Sequence, residues 1–279
     1  MQNIFSVDLE SWVHFHLSAF KKDPYSISSS EKKKLDSGYV PEATGRVLDL
    51  LDRNKQKATF FVIGEIYDWY PKTIRSIAER GHEIAYHTYS HAQIEDKKTL
   101  HDELEKSKRF IEEMRPIGFR APYVYFKRDL MKHLKEYGFK YSSSTYGDYK
   151  VSNYGGIDEI PVSTAPFKRG ILPKNGSPRH LTFKLLSREI PFGSGLFMPI
   201  LRSRTSKFIE KTNKEDKPAV LFIHLWQACI PKEISNLPFR LKVLLANPLC
   251  FPYTWNIQKP LELLLSRHSF TSFKEMYYS

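Results

Sequence analysis

The stretch "ATFFVIGEIYDWYPKTIRSIAERGHEIAYHTYSH", residues 58–91, holds a complete strand–helix–strand unit. Two short runs of β-branched and aromatic residues, Ala58–Ile63 and Glu83–Tyr86, flank a helical segment that starts at Pro71 and stops at Gly81. Proline in the first turn sacrifices no helical hydrogen bond, and glycine just past the last turn accepts the left-handed conformation that ends it. Strands joined by a helix of this length run parallel.

The same rhythm extends in both directions. Further strand candidates are Ile4–Leu9, Ile117–Arg120, Phe139–Ser142, Glu159–Val162 and Ala219–Leu225, with amphipathic stretches such as "EATGRVLDLLDRNKQ" and "KTLHDELEKSKRFIEEM" between them. About seven such units exceed a small open sheet. They predict an α/β chain forming an incomplete, distorted (β/α)7-type barrel, a single domain over residues 1–279. The polar run "SISSSEKKKLDSG" (26–38) reads as a surface loop, and residues 163–217, rich in Pro, Gly and basic side chains, as a loop insertion over one face.

Composition narrows the function. The 279 residues carry a net charge of +12, and residues 163–210 hold nine basic side chains (Lys168, Arg169, Lys174, Arg179, Lys184, Arg188, Arg202, Arg204, Lys207) against Glu189 and Glu210. Such a stripe suits an anionic partner: a phosphate-bearing substrate, an acidic lipid surface or nucleic acid. No recognised nucleic-acid motif accompanies it, so nucleic acid is not expected. No run approaches the roughly 18 apolar residues of a spanning helix. "MQNIFSVDLE" lacks the features of a secretory signal, and Cys229 and Cys250 make no disulfide framework, so a cytoplasmic protein with reduced thiols is expected. The run "RLKVLLANPL" (240–249), followed by "CFPYTW", reads either as an interfacial membrane segment or as a buried helix and loop.

Parallel barrels place their chemistry at the C-terminal strand ends. Asp8 and Glu10 close the first strand, His87 and His91 come after the third, Arg120 ends the fourth and His224 with Trp226 the last. Asp8 and Glu10, two apart, share a strand face. One of these carboxylates can bind a metal while the other handles protons. Joined to His87 and His91, one carboxylate completes a two-His, one-carboxylate set that leaves positions open for water and substrate. Zn2+ is the default ion for such a set, with Fe, Co and Mn admitted.

"FSVDLESW", "HTYSH", "RAPY" and "FIHLW", in this order, resemble the polysaccharide deacetylases of the NodB homology domain family (carbohydrate esterase family 4). "GSGLFMPILRS" and "RHSFTSFKEM" are similar to a subgroup associated with exopolysaccharide and surface-glycan clusters. The resemblance implies Asp8 as catalytic base, Glu10, His87 and His91 as metal ligands, Arg120 as the residue holding the base, the Tyr123 N–H as an oxyanion donor and His224 as general acid. Trp226 is expected to contact substrate. The chain departs from the family at the Asp-Leu-Glu spacing, at Ser142 where relatives carry Asp, and at Gln227 where Glu is frequent. Which of Asp8 and Glu10 completes the metal shell stays open.

The resemblance implies hydrolysis of an N-acetyl group from an amino sugar in a glycan or glycan precursor. With no export signal, a lipid- or nucleotide-linked intermediate at the inner face of the membrane is the expected substrate, and the basic 163–210 segment is expected to meet its phosphate or acidic lipids in a peripheral membrane contact. The alternatives are a deformylase of a lipid-linked formamido sugar and a catalytically inactive glycan-binding relative.

Overall fold

The computed structural model describes residues 1–16, 27–166, 188–246, 251–252 and 254–279. Its strands in chain order are β1 (Gln2–Leu9), β2 (Thr59–Val62), β3 (Glu83–Tyr86), β4 (Gly118–Phe119), β5 (Tyr141–Ser142), β6 (Tyr146–Gly147), β7 (Ser152–Tyr154), β8 (Ile157–Glu159), β9 (Val162–Ser163), β10 (Ala165–Pro166), β11 (Glu189–Ile190), β12 (Val220–His224) and β13 (Ser269–Thr271). The main sheet runs β12-β1-β2-β3-β4-β5-β8-β7, with β13 added against β1. Its pairings are parallel except for the β7–β8 hairpin, which turns on Gly155 and Gly156, both at positive φ.

Among the described residues, no ladder closes this sheet into a full barrel. The gap between β9 and β12 is bridged by single bonds through Gly193: its N–H donates to Ser163 O (3.0 Å) and its carbonyl accepts from Phe222 N–H (2.8 Å). A Cβ at Gly193 would stand 2.2 Å from Val220 O, so only glycine permits the approach. The architecture is thus the expected α/β one, with the sheet left open among the described residues rather than closed into a cylinder.

Helices cover the outside and bury one stripe each. Tyr39–Arg53 buries Val40, Ala43, Val47, Leu48, Leu50 and Leu51, and Pro71–Glu79 buries Ile74 and Ile77. The central strands are buried on both faces, as a parallel sheet lined by helices requires.

Three expectations are corrected. The expected loop 26–38, of which residues 27–38 are described, is in most of its length a helix: Ser29–Asp36 is opened by a Ser28–Glu31 capping box and anchored by buried Lys32 and Asp36. The strand expected over Glu159–Val162 is split into β8 and β9, with Pro161, which has no N–H to donate, next to the break. The expected insertion 163–217 is shorter. The helix Arg204–Asn213 buries Thr205, Ser206 and Ile209 and packs on the helix Gln258–Arg267, so it continues the βα rhythm into β12. Lys168, Arg169, Lys174, Arg179 and Lys184 lie outside the described residues.

Candidate metal centre and proton-transfer site

Parallel register brings the site together. Asp8 is the Cα partner of His224 across β1–β12 and of Phe61 across β1–β2. Val62 pairs with Tyr86 and Tyr86 with Phe119, so His87 and Arg120 emerge one step beyond, at the same level. Residues far apart in the chain therefore meet at one end of the sheet because their strands stop together.

Ser6, Asp8 and Glu10 share one face at period two. Arg120, fully buried, fills the space beneath them. Its Nη1 donates to Asp8 Oδ1 (2.7 Å) and Ser6 Oγ (2.9 Å), Nη2 to Ser143 Oγ (2.9 Å) and Nε to Ser143 O (2.9 Å). The guanidinium lies between the rings of Phe61 (4.1 Å) and Phe222 (5.0 Å). A planar cation so held fixes the Asp8 carboxylate in one orientation.

Glu10 Oε1 lies 3.1 Å from His87 Nε2, 3.2 Å from His91 Nε2 and 3.8 Å from His224 Nε2. Burial by itself raises the Glu10 pKa, but the charge of His91 and the hydrogen bonds of both histidines outweigh it and hold the carboxyl well below its usual range. Two observations fit this trio to a divalent ion. Glu10 Oε2 is buried with no hydrogen-bond partner among the described residues. His87 Nδ1 is 2.7 Å from the carbonyl oxygen of Arg120, which fixes the ring with Nε2 toward Glu10 Oε1, 3.1 Å away; a proton on Nε2 joins the two here, and a divalent ion can take its place. Ligand atoms around a tetrahedral zinc stand about 3.3 Å apart, close to the two separations seen.

The histidines reach Glu10 from a loop. Thr88 and His91 adopt positive φ (62° and 63°), which folds "HTYSH" back on itself. Glu103, a buried acid on the helix Lys97–Lys106, holds that loop by accepting from the N–H groups of Tyr89 (2.9 Å) and Ser90 (2.8 Å) and from Ser90 Oγ. The sequence does not single it out, because nothing in "KTLHDELEKS" separates the buried glutamate from its exposed neighbours.

His224 stands on the other side of Glu10. Gln227 Oε1 accepts from the His224 backbone N–H (2.9 Å) and lies 3.2 Å from its Nδ1, while Gln227 Nε2 donates to Gly195 O (2.7 Å). The amide accepts the Nδ1 proton and leaves Nε2 turned toward the site. A Cβ at Gly195 would come within 2.4 Å of that amide oxygen, which explains the "GSG" of residues 193–195 as a close-approach loop. Trp226 is corrected: it is fully buried and its ring stacks on His224 (4.5 Å), so it backs the imidazole instead of offering a face to a sugar. Tyr123 is half exposed at the rim, its ring 5.2 Å from that of His91, and its backbone is left-handed (φ 60°) in the turn Pro122–Val124. Ser142 hydrogen-bonds Ser144, whose backbone N–H donates to Glu159 Oε1, so a carboxylate from β8 lies beside the position where an aspartate is usual in relatives.

A carboxylate clamped by arginine, a three-ligand cluster and an oriented imidazole, all within one buried end of the sheet, are the equipment of a hydrolytic centre. Residues 34–142 match the family described as Polysaccharide deacetylase. It is 35% identical over 109 residues to a peptidoglycan-N-acetylglucosamine deacetylase of Bacillus cereus, a match covering 38% of this chain and 51% of the relative. It is 31% identical over 138 residues to a chitin deacetylase of Arthroderma benhamiae, covering 46% and 37%. The matches thus span about half or less of these relatives' own length. Among solved structures, a protein from Mycobacterium smegmatis assigned to the polysaccharide deacetylases superposes with a TM-score of 0.55 at 21% identity, covering 96% of this chain and 91% of that one, which shows a shared fold.

Proposed function

We propose that the protein is a metal-dependent hydrolase that removes the N-acetyl group from an amino sugar. The observation that carries this is the convergence of Glu10, His87 and His91 beside the Asp8–Arg120 pair and His224. The names of the relatives, deacetylases of peptidoglycan and chitin, support the substrate class.

The ion, for which zinc is our choice, supplies Lewis acidity that polarises the amide carbonyl and makes water easier to deprotonate. Asp8, held in place by Arg120, takes the proton from the attacking water. The Tyr123 N–H at the rim donates to the carbonyl oxygen as it gains charge. His224, its Nδ1 proton held by Gln227, delivers a proton from Nε2 to the departing nitrogen. The C–N bond then breaks to give acetate and a free amine. Replacement of an acidic partner by Gln227 is workable because an amide oxygen still selects the tautomer.

The substrate we propose is a lipid- or nucleotide-linked N-acetyl sugar, met at the cytoplasmic face of the membrane; the charge of +12 supports an anionic partner. Incubating the metal-loaded protein with nucleotide-linked, lipid-linked and free N-acetyl sugars, read by mass spectrometry, is expected to show loss of one acetyl and release of acetate from the anionic classes first. Release of formate from a formamido sugar, with N-acetyl sugars untouched, would replace the deacetylase by a deformylase.

A further inference from the structure

We propose that the helix Leu237–Ala246 and the cleft beside it form a docking surface for an anionic lipid bilayer. This helix turns leucines outward. Leu237, Leu241, Leu244 and Leu245 are 66%, 47%, 39% and 85% exposed and fall at i, i+4, i+7 and i+8, the spacing of a single helical face. A helix packed by its apolar stripe would bury these positions. Here Val243 is buried instead, and Ile200 and Leu263 add exposed apolar surface (49% and 40%) on the neighbouring elements.

The charge next to the stripe selects the partner. A cleft of about 850 Å³ is lined by Arg202, Arg240 and Lys259, with Trp255 and Leu263, and among the described residues no acidic side chain lines it. Arg240, on the leucine-bearing helix, has its guanidinium 5.8 Å from the Phe251 ring, and its Nε makes no hydrogen bond among the described residues. Arg202 sits at φ 51°, ψ −123°, backbone space that side-chain-bearing residues rarely occupy, and that strain is held at the cleft wall. Apolar stripe, flanking cations and tryptophan together are the composition of an interfacial element. A second copy of the chain is a poorer occupant, since a symmetric contact would bring these cations against their equivalents.

The surface is tied to the site by the chain. The segment bearing it leaves from β12 just past His224, and the other cleft wall comes directly after the Gly195 loop that holds Gln227. No helix among the described residues is long and apolar enough to cross a membrane. The surface requires nothing of the proposed chemistry.

The test is co-sedimentation of the full chain with sucrose-loaded vesicles of phosphatidylcholine alone or with phosphatidylglycerol. The wild type is expected to bind phosphatidylglycerol vesicles with salt-sensitive affinity and phosphatidylcholine weakly. Leu241→Ser with Leu245→Ser is expected to weaken binding at least about ten-fold, and Arg240→Gln with Lys259→Gln about five-fold per cation. Circular dichroism checks that both variants fold. No wild-type binding to phosphatidylglycerol, or affinities unchanged in both variants, overturns the proposal. A dimer in sedimentation velocity that the leucine pair dissolves also overturns it, by assigning the face to a second copy. Activity on a water-soluble sugar is not needed for any of these readings.

Discussion

The Asp8→Asn protein is expected to keep its metal and lose hydrolysis by about 10²- to 10⁴-fold, the range set by removal of a general base. Asparagine has nearly the shape of aspartate, and its carbonyl oxygen can still accept from Arg120 Nη1, now 2.7 Å from Asp8. What it cannot do is take a proton from water. The three side chains proposed to hold the metal are untouched, since Glu10 and not Asp8 faces both His87 and His91. Acetate release measured beside metal content separates the cases. Lost activity with full metal content makes Asp8 the base. Lost metal would instead make Asp8 a ligand, in line with the second cluster of Asp8, Glu10 and His224. Activity within ten-fold of the wild type would assign proton abstraction to another group.

Arg120→Met is expected to cost about 3–5 kcal/mol of folding stability, the usual consequence of leaving one member of a buried ion pair without its partner. Asp8 is 2% exposed and Arg120 0%. The guanidinium also satisfies Ser6 Oγ, Ser143 Oγ and Ser143 O, so four acceptor contacts go at once. Urea unfolding at neutral pH measures the loss. Combining the change with Asp8→Asn removes the stranded charge and is expected to recover part of the stability. A single variant within about 1 kcal/mol of the wild type would mean that water reaches this end of the sheet and screens the pair.

The register explains why the site is legible in the sequence. Asp8 lies next to last and His224 last in their strands, His87 and Arg120 come directly after theirs, and parallel strands that end together bring these residues to one level. Asp8, His87, Arg120 and His224 therefore announce themselves as polar residues at strand ends. Pro71 and Gly81 mark one helix as clearly, and that helix is found at Pro71–Glu79. The helix Ser29–Asp36 is hidden because its sequence is almost wholly polar; the local signal is Ser28 with Glu31, a capping box that resembles loop chemistry. Trp226 misleads for a different reason. An aromatic beside a site residue reads as a sugar platform, but a residue that begins a helix just after β12 points back into the core. Glu103 and Gln227 act by holding other residues, through contacts that span a loop or a helix turn, and neither lies at a strand end. The leucines of Leu237–Ala246 show the converse. Their spacing defines a face, and only the fold shows that the face looks outward.

The central claim is that one divalent ion, held by Glu10, His87 and His91, is required for amide hydrolysis. It is tested most directly by acetate release from an N-acetyl amino sugar by the wild type and Glu10→Gln, each stripped with chelator and then titrated with zinc. No release is expected from stripped wild type, with recovery at one equivalent. In Glu10→Gln the metal affinity is expected to fall by about 100-fold or more, with activity lost in parallel. Undiminished acetate release from the stripped protein, or zinc bound equally well by Glu10→Gln, would contradict the claim.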